Sequence, residues 1–218
     1  MIVVYPYKRK DSDFCITHSV KLFRKHHPDA FIVTVGDSFG GEDQNIPFKD
    51  TYKVRGCNVT AKLLEASKHF ERFIFMNDDF FINDRFDLNR IYGSFEELER
   101  KDKASFEWNE AVINTKTFLE HYKYNNKMSF ECHQPVLIES DKLIELFGQI
   151  EWGEIPHFIK SLYFNVYRPD FVKPIDNTKL IRFDKKKADT LLTMYGCLSI
   201  GGDFLTISGI EYIKRLCK

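Results

Sequence analysis

Three short apolar runs alternate with two amphipathic segments in the first third of the chain, and this alternation constrains the fold more than any other feature. The runs cover residues 2–5, 31–35 and 73–76. Apolar residues recur at helical spacing in the two segments between them: Ile16, Val20 and Phe23 in the first, and Val59, Leu63, Ala66 and Phe70 in the second. Strands and helices in this order predict a mostly parallel sheet that is covered by helices on both faces.

Polar side chains follow each of the three predicted strands. Tyr7 and Lys8 follow the first strand, Asp37 follows the second, and Asn77-Asp78-Asp79 follows the third. In open α/β sheets, ligands bind beyond the carboxyl ends of the strands. We therefore expect these residues to meet at one edge of the sheet.

Asp78 and Asp79 lie between two apolar runs, residues 73–76 and 80–82. Two adjacent carboxylates at the end of a buried strand repel each other unless a cation compensates them. Mn²⁺ and Mg²⁺ prefer carboxylate oxygens and also bridge to phosphate oxygens. The pattern predicts a metal site, and the alternative is a polar turn without a metal.

The segment from Phe75 to Ile82 resembles the acidic motif of nucleotide-sugar glycosyltransferases with the GT-A fold. In that family, variants of Asp-x-Asp hold the metal on the diphosphate of the donor, and here Asn77 replaces the first acid. The segment is also similar to the Asn-Asp-Asp motif of the Stealth family of sugar-phosphate transferases. The resemblance covers the order of elements over residues 1–83, the motif itself and, faintly, residues 131–135. It implies an α/β, GT-A-like fold with a mostly parallel central sheet in a single domain.

The resemblance implies roles for the residues at the strand ends. Tyr5, Tyr7 and Lys8 would face the nucleotide, with an aromatic ring on the base and a cation near phosphate. Asp37 would accept a hydrogen bond from the base or ribose. Ordinary strand packing and a turn remain alternatives for the tyrosines and for Asp37.

The acidic motif itself would bind the donor and the metal ion. The resemblance implies that Asp79 is the principal metal ligand and acts in catalysis, while Asn77 and Asp78 contact the donor and Asp78 also contacts the metal. Arg55 and Lys62 lie near the helix before the motif. We expect their side chains to be solvated, and contact with the diphosphate is the alternative.

Three further clusters carry groups with possible chemistry. His133, in Glu131-Cys-His-Gln-Pro135, is a candidate third metal ligand, and the alternative is a loop histidine bonded to backbone. Glu154 follows Trp152 and is a candidate base for an acceptor hydroxyl, although acids at helix N-termini are common without such a role. Arg182 and Lys185–Lys187 form a basic run that could contact phosphate, or is simply solvated.

The second half of the chain is less regular. We predict one domain over residues 1–218, with a nucleotide-binding half at 1–83 and an acceptor-side half at 84–218. Residues 110–115 and 190–200 have strand-like patterns. Helices are predicted over four segments: residues 116–124, 140–147, 156–163, and from a cap at Ser208 to the C-terminus.

Composition and missing motifs exclude several classes of protein. Lys plus Arg number 32 and Asp plus Glu number 32, so net charge alone cannot hold the chain to nucleic acid. The sequence has no GxxxxGK[ST], no GxGxxG after the first strand and no GxSxG, which argues against P-loop kinases, dinucleotide oxidoreductases and α/β-hydrolases.

The function predicted is metal-dependent transfer of a sugar from a nucleotide-sugar donor, a UDP-sugar, to an acceptor hydroxyl. A surface-glycan precursor or hydroxymethylated bases of viral DNA are the acceptors considered. The alternatives are a Stealth-like transferase of sugar 1-phosphate, an inert binding module, and a two-metal nuclease built on Asp78, Asp79, Glu131 and His133.

The chain carries no signal for a membrane or for an oxidising compartment. Its apolar runs are far shorter than the roughly 20 residues of a membrane span, and the first residues have the pattern of a strand. Its five cysteines are odd in number and form no CxxC pair. We therefore expect no membrane partner and a cytoplasmic location.

Overall fold

The computed structural model describes residues 1–86, 88, 93–94, 106–124, 128–131, 133–167 and 178–218. The strands are β1 (Ile2–Tyr7), β2 (Phe31–Gly36), β3 (Gln44–Ile46), β4 (Arg72–Phe75), β5 (Phe80–Ile82), β6 (Gly93–Ser94), β7 (Met128–Ser129), β8 (Val136–Glu139), β9 (Lys179–Leu180) and β10 (Cys197–Ile200). The helices are α1 (Phe14–His26), α2 (Arg55–Ser67), α3 (Phe106–His121), α4 (Ser140–Gly148), α5 (Ile159–Val166), α6 (Lys185–Tyr195) and α7 (Ile207–Leu216), with a 3-10 turn at Gly202–Phe204.

The central sheet has the strand order β3-β2-β1-β4-β8. The first four strands run parallel, with Val4 opposite both Val33 on β2 and Phe75 on β4, and β8 is antiparallel to β4. One face packs on α1 residues such as Phe23, and the other packs against α2 residues such as Leu63. Because both faces are covered, the strands are nearly continuous apolar runs, and the predicted α/β class is confirmed.

A second sheet, β5-β10-β9, joins distant parts of the chain directly after the acidic motif. Phe81 on β5 lies opposite Leu198 on β10 in an antiparallel pair, and β9 runs parallel to β10. The sheet packs on α6 and α7 through a core that includes Phe204 and Ile213. Residues before and after position 83 therefore share one sheet, while the division of function at that position stays a prediction.

Of two predicted strands of the second half, the first was wrong and the second was too long. Residues 110–115 lie inside α3, where Ala111, Val112, Thr115 and Leu119 are buried on one side. The helical period over 16 residues outweighs the local β-branched pattern. Residues 190–195 belong to α6, and the strand is restricted to Cys197–Ile200 because Gly196, at φ +66°, ends the helix in the left-handed conformation.

Helix α2 begins at Arg55, and Asn58 lies in its first turn. The buried Asn58 side chain organises the preceding loop. Its Oδ1 accepts hydrogen bonds from the backbone N–H groups of Thr51 (3.1 Å) and Tyr52 (3.0 Å). Asn58 thus fixes the loop that carries Asp50 toward the carboxyl edge of the sheet.

Candidate functional site

The loops after β1, β2 and β4 meet at one edge of the central sheet, as the strand-end residues led us to expect. The backbone N–H of Asp37 donates to the Tyr7 carbonyl (3.2 Å), and that of Arg9 donates to Asp37 Oδ2 (2.7 Å). The loop after β1 then reaches the loop after β4, since Lys10 Nζ lies 2.8 Å from Asp78 Oδ2. The parallel register of three strands therefore assembles one polar site.

The acidic motif forms a tight turn that presents its carboxylates to cationic side chains. The Phe80 N–H donates to the Asn77 carbonyl (3.2 Å) and closes the turn. Lys179 Nζ lies 3.6 Å from Asp79 Oδ2, and Ser199 Oγ donates to the same oxygen (3.2 Å). The predicted turn exists, and it places both carboxylates in a site instead of leaving them solvated.

The protonation of Asp79 reflects its surroundings. Burial raises the pKa of this carboxyl, and the negative charge of Asp78 raises it further, while Lys179 and Ser199 act in the opposite direction. The net direction is upward, so the fold holds Asp79 in a place where a negative charge is costly. Such a carboxylate favours an additional cation.

A buried lysine of α2 stabilises the same carboxyl edge of the sheet. Lys62 of α2 is 3% exposed, its Nζ donates to the Tyr7 carbonyl (3.0 Å), and it lies 2.7 Å from Asp50 Oδ1. Lys8 reaches the other carboxylate oxygen of Asp50 at 3.2 Å. The solvated role predicted for Lys62 was therefore wrong, because its ammonium is tied to the end of β1.

Gly36 allows this close packing at the end of β2. Its φ is +119°, and a Cβ at this position would lie 2.1 Å from the Tyr7 carbonyl oxygen and 3.0 Å from the Lys62 Nζ. The backbone of β2 can approach β1 and the lysine in this way because residue 36 has no side chain.

Replacing Gly36 with Ala is expected to lower the free energy of unfolding by about 1–3 kcal/mol, from backbone strain, and to displace Lys62. Urea denaturation measures the loss. Gly148→Ala is the matched control, since a Cβ at Gly148 meets nothing within 4 Å. Equal stability of the two variants would contradict the proposed packing.

The two predicted nucleotide-facing tyrosines are both buried. The Tyr5 ring is 1% exposed, and its hydroxyl pairs with Ser19 Oγ (3.2 Å) and Met76 Sδ (3.5 Å). Tyr7 is 2% exposed, and its hydroxyl donates to Asp13. In this conformation neither ring has a free face for a nucleotide base, so their part in the site is to pack β1, and the Tyr7 carbonyl anchors its neighbours.

The charged residues predicted beside the nucleotide are accessible. The Lys8 side chain is 68% exposed beside Asp50, and Asp37 is exposed at the end of β2. Asn77, Asp78 and Asp79 are half-buried. This part of the predicted set lies together at the carboxyl edge.

His133 lies beside Phe80, the residue after Asp79, and Glu131 lies against Ser161. The His133 ring stands edge-on to Phe80 at 6.3 Å between centroids, and its carbonyl accepts from Thr178 Oγ1 (2.7 Å). Glu131 Oε1 accepts from the N–H and Oγ of Ser161 (3.1 and 2.9 Å). In the part of the chain that the structure describes, no three His, Cys, Asp or Glu side chains come together as a metal-binding group.

Glu154 lies in an aromatic segment that packs beside the loop before α2. The Trp152 ring lies 5.3 Å from that of Tyr52, and a Cβ on Gly153 would lie 3.3 Å from Tyr52 Cε1. The Glu154 side chain is exposed, while the His157 Nδ1 contacts the Ile155 carbonyl (3.0 Å). The segment thus approaches the loop that carries Asp50.

Gln134 is a buried polar residue to which the sequence pattern assigned no role. Its side chain is 1% exposed, and within the described residues neither its amide oxygen nor its amide nitrogen has a hydrogen-bond partner. Antiparallel pairing sets Phe75 opposite Val136, so Gln134, just before β8, lies at the end of the sheet where β4 leads into the acidic motif. An unsatisfied buried amide costs about 1–3 kcal/mol, so a hydrogen-bond partner for Gln134 would be favourable.

The predicted basic run forms the start of α6. Lys185, Lys186 and Lys187 are exposed, and Lys185 pairs with Asp189 (2.8 Å). Asp184 caps the helix by accepting from the Lys187 N–H (3.0 Å). The run is a solvated helix end, with charges available at the surface.

None of the helices in the described ranges has the length and apolar character needed to cross a membrane. The cysteines at positions 15, 57, 197 and 217 are free thiols.

Comparison with known proteins defines the fold. No protein-family model and no curated protein matches the chain. Among solved structures, the galactosyltransferase LgtC in complex with donor and acceptor sugar analogs matches 100% of this chain and 95% of its own, with a TM-score of 0.52 and 12% identity.

Two further glycosyltransferases match at lower similarity. One is involved in the glycosylation of the major capsid of PBCV-1 (TM-score 0.44, 11% identity, 98% of each chain). The other is the apo-form of GlyE from Streptococcus pneumoniae TIGR4 (TM-score 0.43, 10% identity, 99% of this chain and 59% of that chain). Taken with the sheet order, the similarity to LgtC confirms that this chain has the GT-A-like α/β fold over its whole length.

Proposed function

We propose that this protein is a glycosyltransferase that moves a sugar from a nucleotide-sugar donor, a UDP-sugar, to an acceptor hydroxyl. One observation carries the proposal: the paired carboxylates of Asp78 and Asp79 and several lysines meet at the carboxyl edge of the sheet, within the fold of a galactosyltransferase. Cations suit a diphosphate, and carboxylates suit sugar hydroxyls and cations.

Each exposed group at a strand end would bind a different part of the donor. Lys8 offers an ammonium to phosphate, and Asp37 offers a carboxylate to the ribose or base. Asn77 and Asp78 lie next to the position of the diphosphate in this scheme. Leaving-group stabilisation by fixed positive charge is the main catalytic contribution that such a site supplies.

The predicted Mn²⁺ or Mg²⁺ fits the donor atoms of the motif. Asp78 and Asp79 provide hard oxygen ligands, and the raised pKa of Asp79 marks a place where a cation is favoured. These two carboxylates would hold the ion. Phosphate oxygens or water would occupy the coordination positions that the protein does not fill. When bound, the ion would neutralise the charge of the departing diphosphate.

Gln134 would donate and accept hydrogen bonds with hydroxyl groups of a bound sugar. Replacing Gln134 with Met is expected to reduce transfer about tenfold or more, through lost contacts. The same change should leave the free energy of unfolding equal or raise it by about 1 kcal/mol, because an unpaired buried amide disappears.

Product release and thermal melts measure these two effects on the Gln134 variant. A structural role for the amide would lower stability and leave transfer unchanged, which is the opposite pattern. Gln149→Met, beyond the end of α4, is the control.

The acceptor is the open part of the proposal. Glu154 is exposed beside an aromatic ring and would act as the base that takes the proton of the acceptor hydroxyl. A surface-glycan precursor and hydroxymethylated DNA are the two acceptors to compare, and Lys185–Lys187 would support the second.

A screen of nucleotide sugars by thermal shift, with and without Mn²⁺, tests the donor. A ligand at 100 times its dissociation constant should stabilise the protein by about 2.7 kcal/mol. Analysis of the reaction then distinguishes the chemistry: sugar transfer releases nucleoside diphosphate, whereas a Stealth-like transfer of sugar 1-phosphate releases nucleoside monophosphate. Cleavage of plain nucleic acid without a nucleotide sugar would instead indicate a nuclease, and no stabilisation by any nucleotide would contradict the proposal.

A further inference from the structure

Each carboxylate of the acidic motif is paired with a lysine that comes from another part of the chain. Lys10, in the loop after β1, contacts Asp78 at 2.8 Å. Lys179, on β9, contacts Asp79 at 3.6 Å. Two ammonium groups therefore lie beside the carboxylates that the proposed function assigns to a divalent cation.

These two lysines differ from the structural lysine of the same edge. The side chains of Lys10 and Lys179 are 56% and 30% exposed, whereas that of Lys62 is 4% exposed and is fixed by Asp50 and the Tyr7 carbonyl. Exposed ion pairs contribute little to stability, and lysine carries its charge on a flexible stem. Lys10 and Lys179 can therefore change partners more readily than Lys62.

We propose that Lys10 and Lys179 are exchangeable counterions, which neutralise Asp78 and Asp79 in the donor-free protein and bind the diphosphate when the donor enters. This inference rests on the proposed function, because it concerns the donor of that reaction. The exchange keeps the motif compensated at both stages. Without donor the ammonium groups balance the carboxylates, and with donor a divalent ion replaces them there while they bind phosphate oxygens.

The exchange predicts effects of opposite sign on two ligands. An ammonium beside a carboxylate competes with a metal ion for that carboxylate, so its removal should tighten the binding of Mn²⁺ alone. The same removal takes away a charged hydrogen-bond donor for phosphate, so it should weaken the binding of UDP. A lysine that merely supports the local structure would not shift the two affinities in opposite directions.

The experiment is titration calorimetry on Lys10→Met, Lys179→Met and the double variant. Each protein is titrated with Mn²⁺ alone, with UDP and with uridine. Lys68→Met is the matched control, because Lys68 pairs with Glu65 at 2.6 Å on the surface of α2. Each site variant should bind UDP about tenfold more weakly and Mn²⁺ severalfold more tightly, with uridine unchanged. Thermal melts confirm that each variant is folded.

The outcomes separate this inference from the proposed function. If the parent protein binds UDP and the lysine variants bind UDP and Mn²⁺ as the parent does, the exchange is wrong and the proposed function stands. A fall in both affinities together would also overturn the exchange, since it indicates a structural role. If the parent binds none of the nucleoside diphosphates, the proposed function fails, and the exchange fails with it.

Discussion

Sugar transfer by the Asp79→Asn variant is expected to fall by about a hundredfold or more. In the proposed reaction the Asp79 carboxylate would hold a divalent cation that neutralises the leaving diphosphate, and loss of one charged ligand would remove about 3 kcal/mol of transition-state stabilisation. The fold should remain, because Asn keeps the shape of the side chain. Nucleoside diphosphate release at saturating donor and Mn²⁺ measures the effect.

The stability of the Asp79→Asn variant provides a second test. The pKa of Asp79 is raised in the folded protein, so this carboxyl contributes stability below its unfolded pKa of about 3.9 and loses it as the pH rises through the folded value. At pH 7 without metal, Asp79→Asn should therefore be as stable as the parent or more stable. Asp189→Asn, a surface acid paired with Lys185, is the control and should keep full transfer. Transfer above about a tenth of the parent rate would contradict the assignment of Asp79.

Replacing Lys62 with Met is expected to lower the free energy of unfolding by about 3 kcal/mol, the largest effect on stability that we predict. The substitution leaves Asp50 half-buried with Lys8 as its remaining partner and removes the donor to the Tyr7 carbonyl. Denaturant unfolding measures the loss. Lys68→Met, at an exposed position directly after the same helix, should change stability by less than about 1 kcal/mol.

The pH dependence of the Lys62 variant tests the cause. Burial works to raise the pKa of Asp50, but its hydrogen bonds and charge contacts with Lys62 and Lys8 outweigh burial and hold this pKa below its usual value. In the parent, this carboxylate contributes stability above its unfolded pKa of about 3.9, and the contribution is lost as the pH falls. The deficit of Lys62→Met should therefore shrink toward low pH, and a deficit that is constant with pH would indicate lost packing alone.

The central fold could be predicted from the sequence because its signals are local. The apolar runs of β1, β2 and β4 are buried on both faces, so they can be recognised as strands without knowledge of the neighbouring strands. Polar residues directly after such strands must lie at the carboxyl edge, which placed the Asn77-Asp78-Asp79 turn. The strand expected over residues 110–115 failed because a short β-branched stretch cannot reveal the longer helix around it.

The surroundings of each functional side chain depended on contacts between distant segments. Tyr5 and Tyr7 follow the strand pattern, yet the packing of α1 decided that their rings are buried and bonded to Ser19 and Asp13. The carboxylate of Glu131, which the nuclease alternative grouped with Asp78 and Asp79, accepts a hydrogen bond from Ser161. The sequence therefore predicts that a residue at a strand end lies at the carboxyl edge of the sheet, but it does not predict the direction of the side chain.

The sequence by itself determined the parallel sheet, its carboxyl edge and the acidic motif at that edge, because periodicity and apolar runs encode burial locally. Only the tertiary structure decided that Lys179 and Ser199 reach Asp79 from a hundred or more residues along the chain, and that an antiparallel β8 pairs with β4 beside the acidic motif. Such contacts arise from the packing of whole elements against one another, and no local pattern specifies which distant element will be the neighbour.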